Sequence, residues 1–108
     1  MKAADNLTKN CLLILAAKGF YCWRQNNSAV FDATKKIYRS NSATKGIPDI
    51  LGFHTQTGTF ICVEIKVGKD SLSVHQKDFL QKAINANAFV FVIKTSDDIE
   101  KMVKQIKL

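Results

Sequence analysis

Acidic side chains are scarce in this sequence. Its 108 residues include 9 Asp and Glu against 16 Lys and Arg, which gives a formal net charge of +7. A positive charge of this size on a small protein favours anionic partners, with nucleic acid first and a membrane surface second. Because the acids are few, the position of each one carries information about function.

Long apolar runs are also missing. The longest, from Cys11 to Ala17, is far shorter than the roughly 20 residues that cross a bilayer, so we expect no membrane span and no membrane partner. The three cysteines are an odd number, and no pair has C-x-x-C spacing. This argues against a disulfide framework and a zinc ribbon, and it predicts free thiols in a cytoplasmic protein.

The remaining composition is that of an ordinary globular protein. With 46% hydrophobic and 23% charged residues and no internal repeat, the chain is neither disordered nor repetitive. We expect residues 1–108 to form a single domain, because typical domains have about 100–150 residues.

Hydrophobic periodicity predicts a mixed order of helices and strands. The predicted segments are a helix from about Asp5 to Lys18, strands at Phe20–Arg24, Pro48–Phe53 and Phe60–Val67, a helix from Ser73 to about Ala86, a central strand at Ala88–Lys94 and a final helix that Ser96 or Asp97 caps. Residues 25–45 are polar and are predicted as irregular strand or mobile loop. The order αβββαβ with a C-terminal helix predicts an α/β fold with a central mixed β-sheet flanked by helices.

Smaller local signals complete this prediction. Asp5 or Asn6 is predicted to cap the first helix, and Gly19 suits its left-handed end. His54 and His75 are predicted on the surface, since no partner residues in the sequence suggest a catalytic role for either.

Two of the few acids fall on the predicted hairpin. In an antiparallel hairpin the residue numbers of every directly opposed pair add up to the same total. If Asp49 and Glu64 are opposed, the centre of the turn lies between Gln56 and Thr57, inside the predicted turn. The two carboxylates are therefore predicted to face each other, with Cβ atoms about 4.5–5.5 Å apart. Since opposed like charges are destabilising, the pair needs a counter-charge, which a divalent cation with oxygen ligands supplies.

Lys66 is predicted to lie beside this pair. Side chains alternate along a strand, so Cys62, Glu64 and Lys66 share one face and the apolar Val63 and Ile65 share the other. The apolar face is predicted to pack on the core, which turns the charged face away from it. Taken alone, an acid-x-Lys pair favours a simple cross-strand salt bridge, because the pattern often occurs by chance.

Three segments place the pair in a wider pattern: Gly46-Ile-Pro48-Asp49-Ile-Leu-Gly52, Val63-Glu64-Ile65-Lys66 and Ser71-Leu-Ser73-x-x-Gln76. Together they resemble the PD-(D/E)xK nuclease superfamily and, within it, the VRR-NUC group of small viral and bacterial replication and repair nucleases. The resemblance extends from about Leu7 to Ile93. It implies a restriction-endonuclease-like core and a deoxyribonuclease that hydrolyses phosphodiester bonds with Mg²⁺ or Mn²⁺ and no small-molecule cofactor.

The resemblance also implies roles for individual residues. Asp49, Glu64 and the backbone carbonyl of Ile65 would hold the metal, Lys66 would orient the attacking water or stabilise charge at phosphorus, and Gln76 would orient the site from its helix. Members of the group usually carry a Glu in the first helix, but no Glu precedes Glu64 here. The nearest candidates to replace it are Asp5 and Asn6.

Cations and aromatic residues form the candidate DNA surface, which comprises Trp23, Arg24, Lys35, Lys36, Arg39 and Lys45. For Trp23, a core position at a strand end is an equal alternative. We expect a structure-selective endonuclease that resembles Holliday-junction resolvases and acts as a homodimer on branched DNA. The dimer would use either the apolar face of the last helix (Ile99, Met102, Val103 and Ile106) or the aromatics near Phe31 and Tyr38. The alternatives are a restriction-type or flap nuclease and a catalytically silent nucleic-acid-binding module.

Overall fold

The secondary structure alternates as the sequence predicts, with one additional hairpin. The computed structural model describes residues 3–25, 30–39 and 44–106, and for residues 30–32 and 37–39 it describes the backbone alone. In chain order the elements are α1 Ala3–Ala17, β1 Phe20–Arg24, β2 Val30–Asp32, β3 Ile37–Arg39, β4 Ile50–His54, β5 Phe60–Ile65, α2 Val74–Asn85, β6 Phe89–Ile93 and α3 Ser96–Gln105. None of the described helices is long and apolar enough to cross a membrane.

Four strands form the central sheet, in the order β1-β4-β5-β6. The pairs β1–β4 and β4–β5 are antiparallel, whereas β5 and β6 are parallel and α2 makes the crossover between them. The sheet is therefore mixed and has helices on both faces, which confirms the predicted α/β architecture. Ile50 pairs with Val63, and Phe53 pairs with Phe60. This register is the one that the hairpin sum of Asp49 and Glu64 predicts.

Each face of the sheet has its own apolar layer. On one face α1 and α3 cover a large core that includes Leu15, Ile50, Ile61, Val63 and Met102. On the other face α2 buries Cys62, Leu80 and Ala83, with Leu51, Phe79, Val90 and Val92 packed against them. The three cysteines are free, as predicted, and Cys11 and Cys62 are buried. Because both faces of β5 are covered beyond Phe60, the side chains from Ile61 to Ile65 are buried whichever way they point.

The β6 strand is not central, although its sequence predicts a central strand. It forms the edge of the sheet, and of its five residues only Ile93 is fully buried. Phe89, Phe91 and Ile93 face the core of α1 and α3, while Val90 and Val92 face α2. A continuous apolar run reports that both faces of a strand are covered, but it says nothing about the two edges.

Two of the predicted helix caps are displaced. The α1 helix already includes Ala3, so Asp5 and Asn6 lie within it instead of capping it. Thr95, not Ser96 or Asp97, is the N-cap of α3, and the Asp98 carboxylate accepts hydrogen bonds from the N–H groups of Lys94 and Thr95 at 2.8 and 3.1 Å. Ser73 caps α2 as predicted. Gly19 takes the predicted left-handed conformation, with φ +91°.

His54 is buried, although it is predicted on the surface. It is 4% exposed, its Nδ1 accepts the Gln56 N–H at 3.3 Å, and its ring meets that of Phe20 edge to face at 5.0 Å between centroids. The end of β4 is covered by the turn that follows α1, and the sequence contains no local signal for that contact. His75 is exposed, as predicted.

Two glycines of the segment 46–52 are required by close backbone approaches. A Cβ at Gly46, whose φ is +76°, would lie 2.2 Å from the His75 carbonyl oxygen at the start of α2. A Cβ at Gly52 would lie 2.3 Å from the Tyr21 carbonyl oxygen on β1. Both distances are shorter than any tolerated contact, so these glycines bring the segment that carries Asp49 against α2 and β1.

Candidate functional site

Asp49 is held in place by its two neighbouring strands. It lies just before β4, opposite Glu64 in the observed register. Its Oδ2 accepts the Ile65 N–H at 2.8 Å, and its backbone carbonyl accepts the Gln25 N–H at 2.7 Å. These contacts fix both the main chain and the carboxylate.

Glu64 is the other half of the pair and is buried. It is 1% exposed, it shares a side-chain hydrogen bond with Asp49, and its Oε2 has no hydrogen-bond partner among the described residues. Burial above all, then the hydrogen bond and the charge of Asp49, raise the pKa of Glu64 to about 9, while the charge of Lys66 lowers it. Without a cation, the acid pair therefore retains a proton at neutral pH.

The prediction that the Glu64 face of β5 turns away from the core is wrong. Cys62 and Glu64, at 0% and 1% exposure, lie on this face under α2. The reason is that the sheet has helices on both faces, so an alternating pattern separates two buried layers and not core from solvent. Glu64 thus lies in a low-dielectric environment, which strengthens its need for a counter-charge.

Lys66 follows β5 immediately. It is half-buried, its N–H donates to the Ile93 carbonyl at 3.0 Å, and its charge acts on Glu64. The backbone bond extends the pairing of β5 with β6 by one residue. The lysine is therefore anchored at the edge of the acid pair.

Gln76 lies in the first turn of α2 and forms two hydrogen bonds with the N-cap residue Ser73. Its Oε1 accepts the Ser73 N–H at 2.9 Å, and its own N–H donates to the Ser73 hydroxyl at 3.1 Å. This reciprocal arrangement is a capping box, which stabilises the first turn of a helix. The predicted role of Gln76 in orienting the site remains a prediction, and the carboxamide oxygen already has this partner.

Asp5 is not brought to the acid pair. Its Oδ1 lies 3.0 Å from Nη2 of Arg24, a partly exposed ion pair that joins α1 to the end of β1. Asn6 is exposed on α1. Within residues 3–25, 30–39 and 44–106, no group of three or more His, Cys, Asp or Glu side chains is placed to hold a metal ion. The side-chain ligands that the structure brings together are Asp49 and Glu64.

Two carboxylates suit a hard divalent cation. Mg²⁺ commonly takes one or two protein carboxylates and completes its octahedral shell with waters and substrate phosphate. The buried Oε2 of Glu64 without a hydrogen-bond partner fits a cation, because an unsatisfied buried oxygen is otherwise costly. The donor set of Asp49 and Glu64 side chains therefore fits the predicted Mg²⁺ or Mn²⁺.

The candidate DNA contacts lie on two parts of the molecule. Trp23 is 40% exposed and donates from Nε1 to the Gln25 Oε1 at 3.3 Å, while the exposed Arg24 bonds to Asp5. Lys35 and Lys36 are exposed in the turn between β2 and β3, which pair in a separate two-stranded sheet. That hairpin occupies much of the segment predicted as irregular strand or loop.

Of the other two candidate DNA contacts, Arg39 lies in β3 of that hairpin and Lys45 follows it along the chain. Lys45 is exposed beside Gly46. Arg39 pairs with Val30 through its backbone, and its side chain lies outside the described residues, as do those of Phe31 and Tyr38.

Gln25 is a site residue that the sequence does not identify. Its backbone N–H donates to the Asp49 carbonyl, and its side-chain oxygen accepts the indole N–H of Trp23. A glutamine in a polar segment carries no distinguishing signal, because these contacts depend on the pairing of β1 with β4. Only the assembled sheet reveals them.

The charge state of Glu64 leads to a prediction about stability in chelator. The pKa of Glu64 in the folded protein is raised to about 9. Its contribution to the free energy of unfolding is therefore fully present below the unfolded pKa and is lost as pH rises from about 4.5 towards 9. Metal-free protein should lose several kcal/mol of unfolding free energy between about pH 5 and about pH 8, and Glu64→Gln should lose much less. Urea unfolding in EDTA at both pH values measures this. Equal pH dependence in the two proteins would contradict it.

The chain was compared with protein families, curated proteins and solved structures. The model of the VRR-NUC domain matches residues 14–97. No curated protein matches the chain. Among solved structures, the fold is similar to that of Hjc, a Holliday junction resolvase from the archaeal hyperthermophile Archaeoglobus fulgidus, with a TM-score of 0.52 and 22% identity. The match covers 82% of this chain and 64% of the resolvase chain.

Proposed function

Because this chain belongs to the VRR-NUC domain family, we propose that it is a Mg²⁺- or Mn²⁺-dependent endonuclease that hydrolyses phosphodiester bonds in branched DNA during replication, recombination or repair. The observation that carries this proposal is the buried pair of Asp49 and Glu64, in which Oε2 of Glu64 has no hydrogen-bond partner among the described residues. The net charge of +7 favours binding to the phosphates of DNA, and the two opposed acids favour a cation that bridges protein and phosphate. The free cysteines suit the reducing cytoplasm of a bacterial or phage-infected cell.

The roles of the residues follow from their positions. Asp49 and Glu64 would hold the metal with the Ile65 carbonyl, and the Ile65 N–H keeps the Asp49 carboxylate aimed at the site. When bound, the metal polarises the phosphate and lowers the pKa of its water. Lys66, at the edge of the pair, orients the attacking water or stabilises the negative charge that develops at phosphorus. We also propose that Gln76 orients this site from the start of α2.

Branched DNA is the proposed substrate, and a homodimer is the proposed active form. The fold similarity is to a Holliday junction resolvase, and a two-fold dimer would present one acid pair to each of two opposed strands of a junction. Two residues of the alternative dimer surface on α3, Ile99 and Met102, are buried in the core, which argues against that surface.

Cleavage assays test the proposal directly. Linear, flap and four-way DNA of equal length should be incubated with the protein in Mg²⁺, in Mn²⁺ and in EDTA. We expect metal-dependent cleavage with preference for the four-way substrate. Full activity in EDTA would contradict the metal role, and equal cleavage of all substrates would contradict the resolvase assignment. Preferential cleavage of flaps would support a flap nuclease, and binding without cleavage would support the silent module.

The basic hairpin provides a separate prediction about DNA binding. The triple replacement of Lys35, Lys36 and Arg39 by Gln should weaken binding to all sequences and reduce the log–log salt slope by about 0.9 for each lost phosphate contact. The matched control neutralises three exposed lysines elsewhere, Lys9, Lys101 and Lys104. Fluorescence anisotropy across a salt series measures both slopes. An unchanged slope in the hairpin variant would place the DNA surface elsewhere.

A further inference from the structure

The half of the sheet that α2 leaves open carries a row of aromatic side chains. Tyr21, Phe53 and Phe60 stand opposite one another on β1, β4 and β5. They point to the same side as Leu51 and Cys62, which pack with α2. Their exposures are 62%, 42% and 37%, and the rings of Tyr21 and Phe53 stack at 5.6 Å with 18° between planes. These three residues are called the aromatic row.

The aromatic row continues into a groove beside α2. This groove has a volume of about 520 Å³, and Phe60 and Phe79 contribute aromatic walls. Asp78 and Lys82, an ion pair at 3.0 Å, also line the groove. Lys45 and His75 line the same groove, so the surface is mainly apolar with one acid, two lysines and a histidine at its border.

The size of this surface indicates a macromolecular partner. Aromatic side chains bury about 150–250 Å² each, so the exposed parts of the aromatic row offer roughly 280 Å². A stable interface buries about 800 Å² on each partner, and a few aromatic anchors at its centre supply most of the energy. The row therefore supplies an interface centre, and the groove adds apolar area around it.

The charge of the surface distinguishes between partners. Nucleic acid binds mainly through cations that neutralise phosphates, but the aromatic row is uncharged, and of the two lysines that line the groove Lys82 is already paired with Asp78 while Lys45 lies at the border. A second copy of the chain brings the same neutral row and the same acid–base pair. An isologous interface needs such a self-complementary surface, in which each contact occurs twice.

We propose that the aromatic row and its groove are the surface through which two copies of this chain form a dimer. The inference deepens the proposed function and rests on its two-site dimer. Phe60 precedes Glu64 by four residues of strand, or about 13 Å. A two-fold axis through the row and perpendicular to the strands would therefore separate the two acid pairs by about 26 Å along the strands. Both pairs would remain outside the contact.

Sedimentation equilibrium of the full chain tests this assignment. The wild-type chain should be a dimer at micromolar concentration, and Phe53→Arg and Tyr21→Arg should each raise the dimer dissociation constant by at least about 30-fold. The matched control is Leu13→Arg, because Leu13 is 71% exposed on α1, on the other face of the sheet. It should remain a dimer. Circular dichroism checks that the variants are folded, and Tyr21 is the more exposed position should Phe53→Arg not fold.

Three results would overturn the assignment. They are a monomeric wild-type chain, dimers of unchanged strength in both variants, and weaker binding of the variants to single-stranded oligonucleotide with no change in oligomeric state. The last would identify the aromatic row as a base-stacking surface. Sedimentation does not depend on cleavage, so failure of the nuclease proposal is distinguishable: the chain would then dimerise through the row and cleave nothing.

Discussion

Asp49→Asn is expected to abolish metal-supported cleavage of four-way DNA, with a loss of at least about 10³-fold. A metal ion supplies several kcal/mol of transition-state stabilisation, which corresponds to a factor of this size. The substitution removes the charge that a cation needs but keeps an oxygen that can accept the Ile65 N–H, the contact that holds the native side chain at 2.8 Å. We therefore expect the fold to be preserved while the cation is lost.

Two measurements separate this effect from a change in stability. Single-turnover cleavage at saturating protein gives the rate, and calorimetric titration with Mn²⁺ gives the metal affinity. The matched control is Asp97→Asn, which removes the same charge from an exposed position in the first turn of α3. The control should cleave normally. An Asp49→Asn protein that cleaves at the wild-type rate would remove Asp49 from the proposed metal site.

Lys66→Met is expected to lower the cleavage rate by about 10²–10³-fold without weakening Mn²⁺ binding. Fixed charges aimed at the developing negative charge contribute about this much, and Lys66 is anchored beside the acid pair by its backbone bond to Ile93. Methionine keeps much of the aliphatic length and removes the ammonium group. The effect should therefore appear in the chemical step and not in metal affinity.

Two further variants sharpen the experiment on Lys66. Lys69→Met is the matched control, since Lys69 is an exposed lysine three residues further along the chain, and it should cleave as the wild type does. Lys66→Arg keeps the charge and should retain more activity than Lys66→Met. If Lys66→Met cleaves normally and is less stable, the lysine serves only as a salt-bridge partner of the buried acids.

Patterns that depend on neighbours along the chain are predictable from the sequence. The order of helices and strands, the cap at Ser73 and the left-handed Gly19 all follow from local chemistry, and the structure confirms them. The register of the β4–β5 hairpin is of the same kind, because a short turn fixes which residues pair. For this reason the opposition of Asp49 and Glu64 follows from the spacing of the residues along the chain.

Contacts between distant segments are not predictable in this way. The Asp5–Arg24 ion pair joins residues 19 positions apart, and it occupies the side chain that the sequence offers as a replacement for the missing first-helix Glu. His54 is buried because the turn after α1 covers the end of β4. For Asp5 and for His54, the neighbouring residues in the sequence do not indicate which distant segment each side chain contacts.

The order of residues is enough to specify the mixed α/β fold, the pair of opposed carboxylates Asp49 and Glu64 with Lys66 after it, and the family to which they belong. The packing of the helices on the sheet determines the rest: α2 covers the Glu64 side of β5, β6 lies at the edge, and Tyr21, Phe53 and Phe60 line up on the uncovered half. This division arises because alternation along a strand assigns side chains to two faces but does not say what covers each face. The cover depends on where the helices pack, and here it sets the pKa of Glu64.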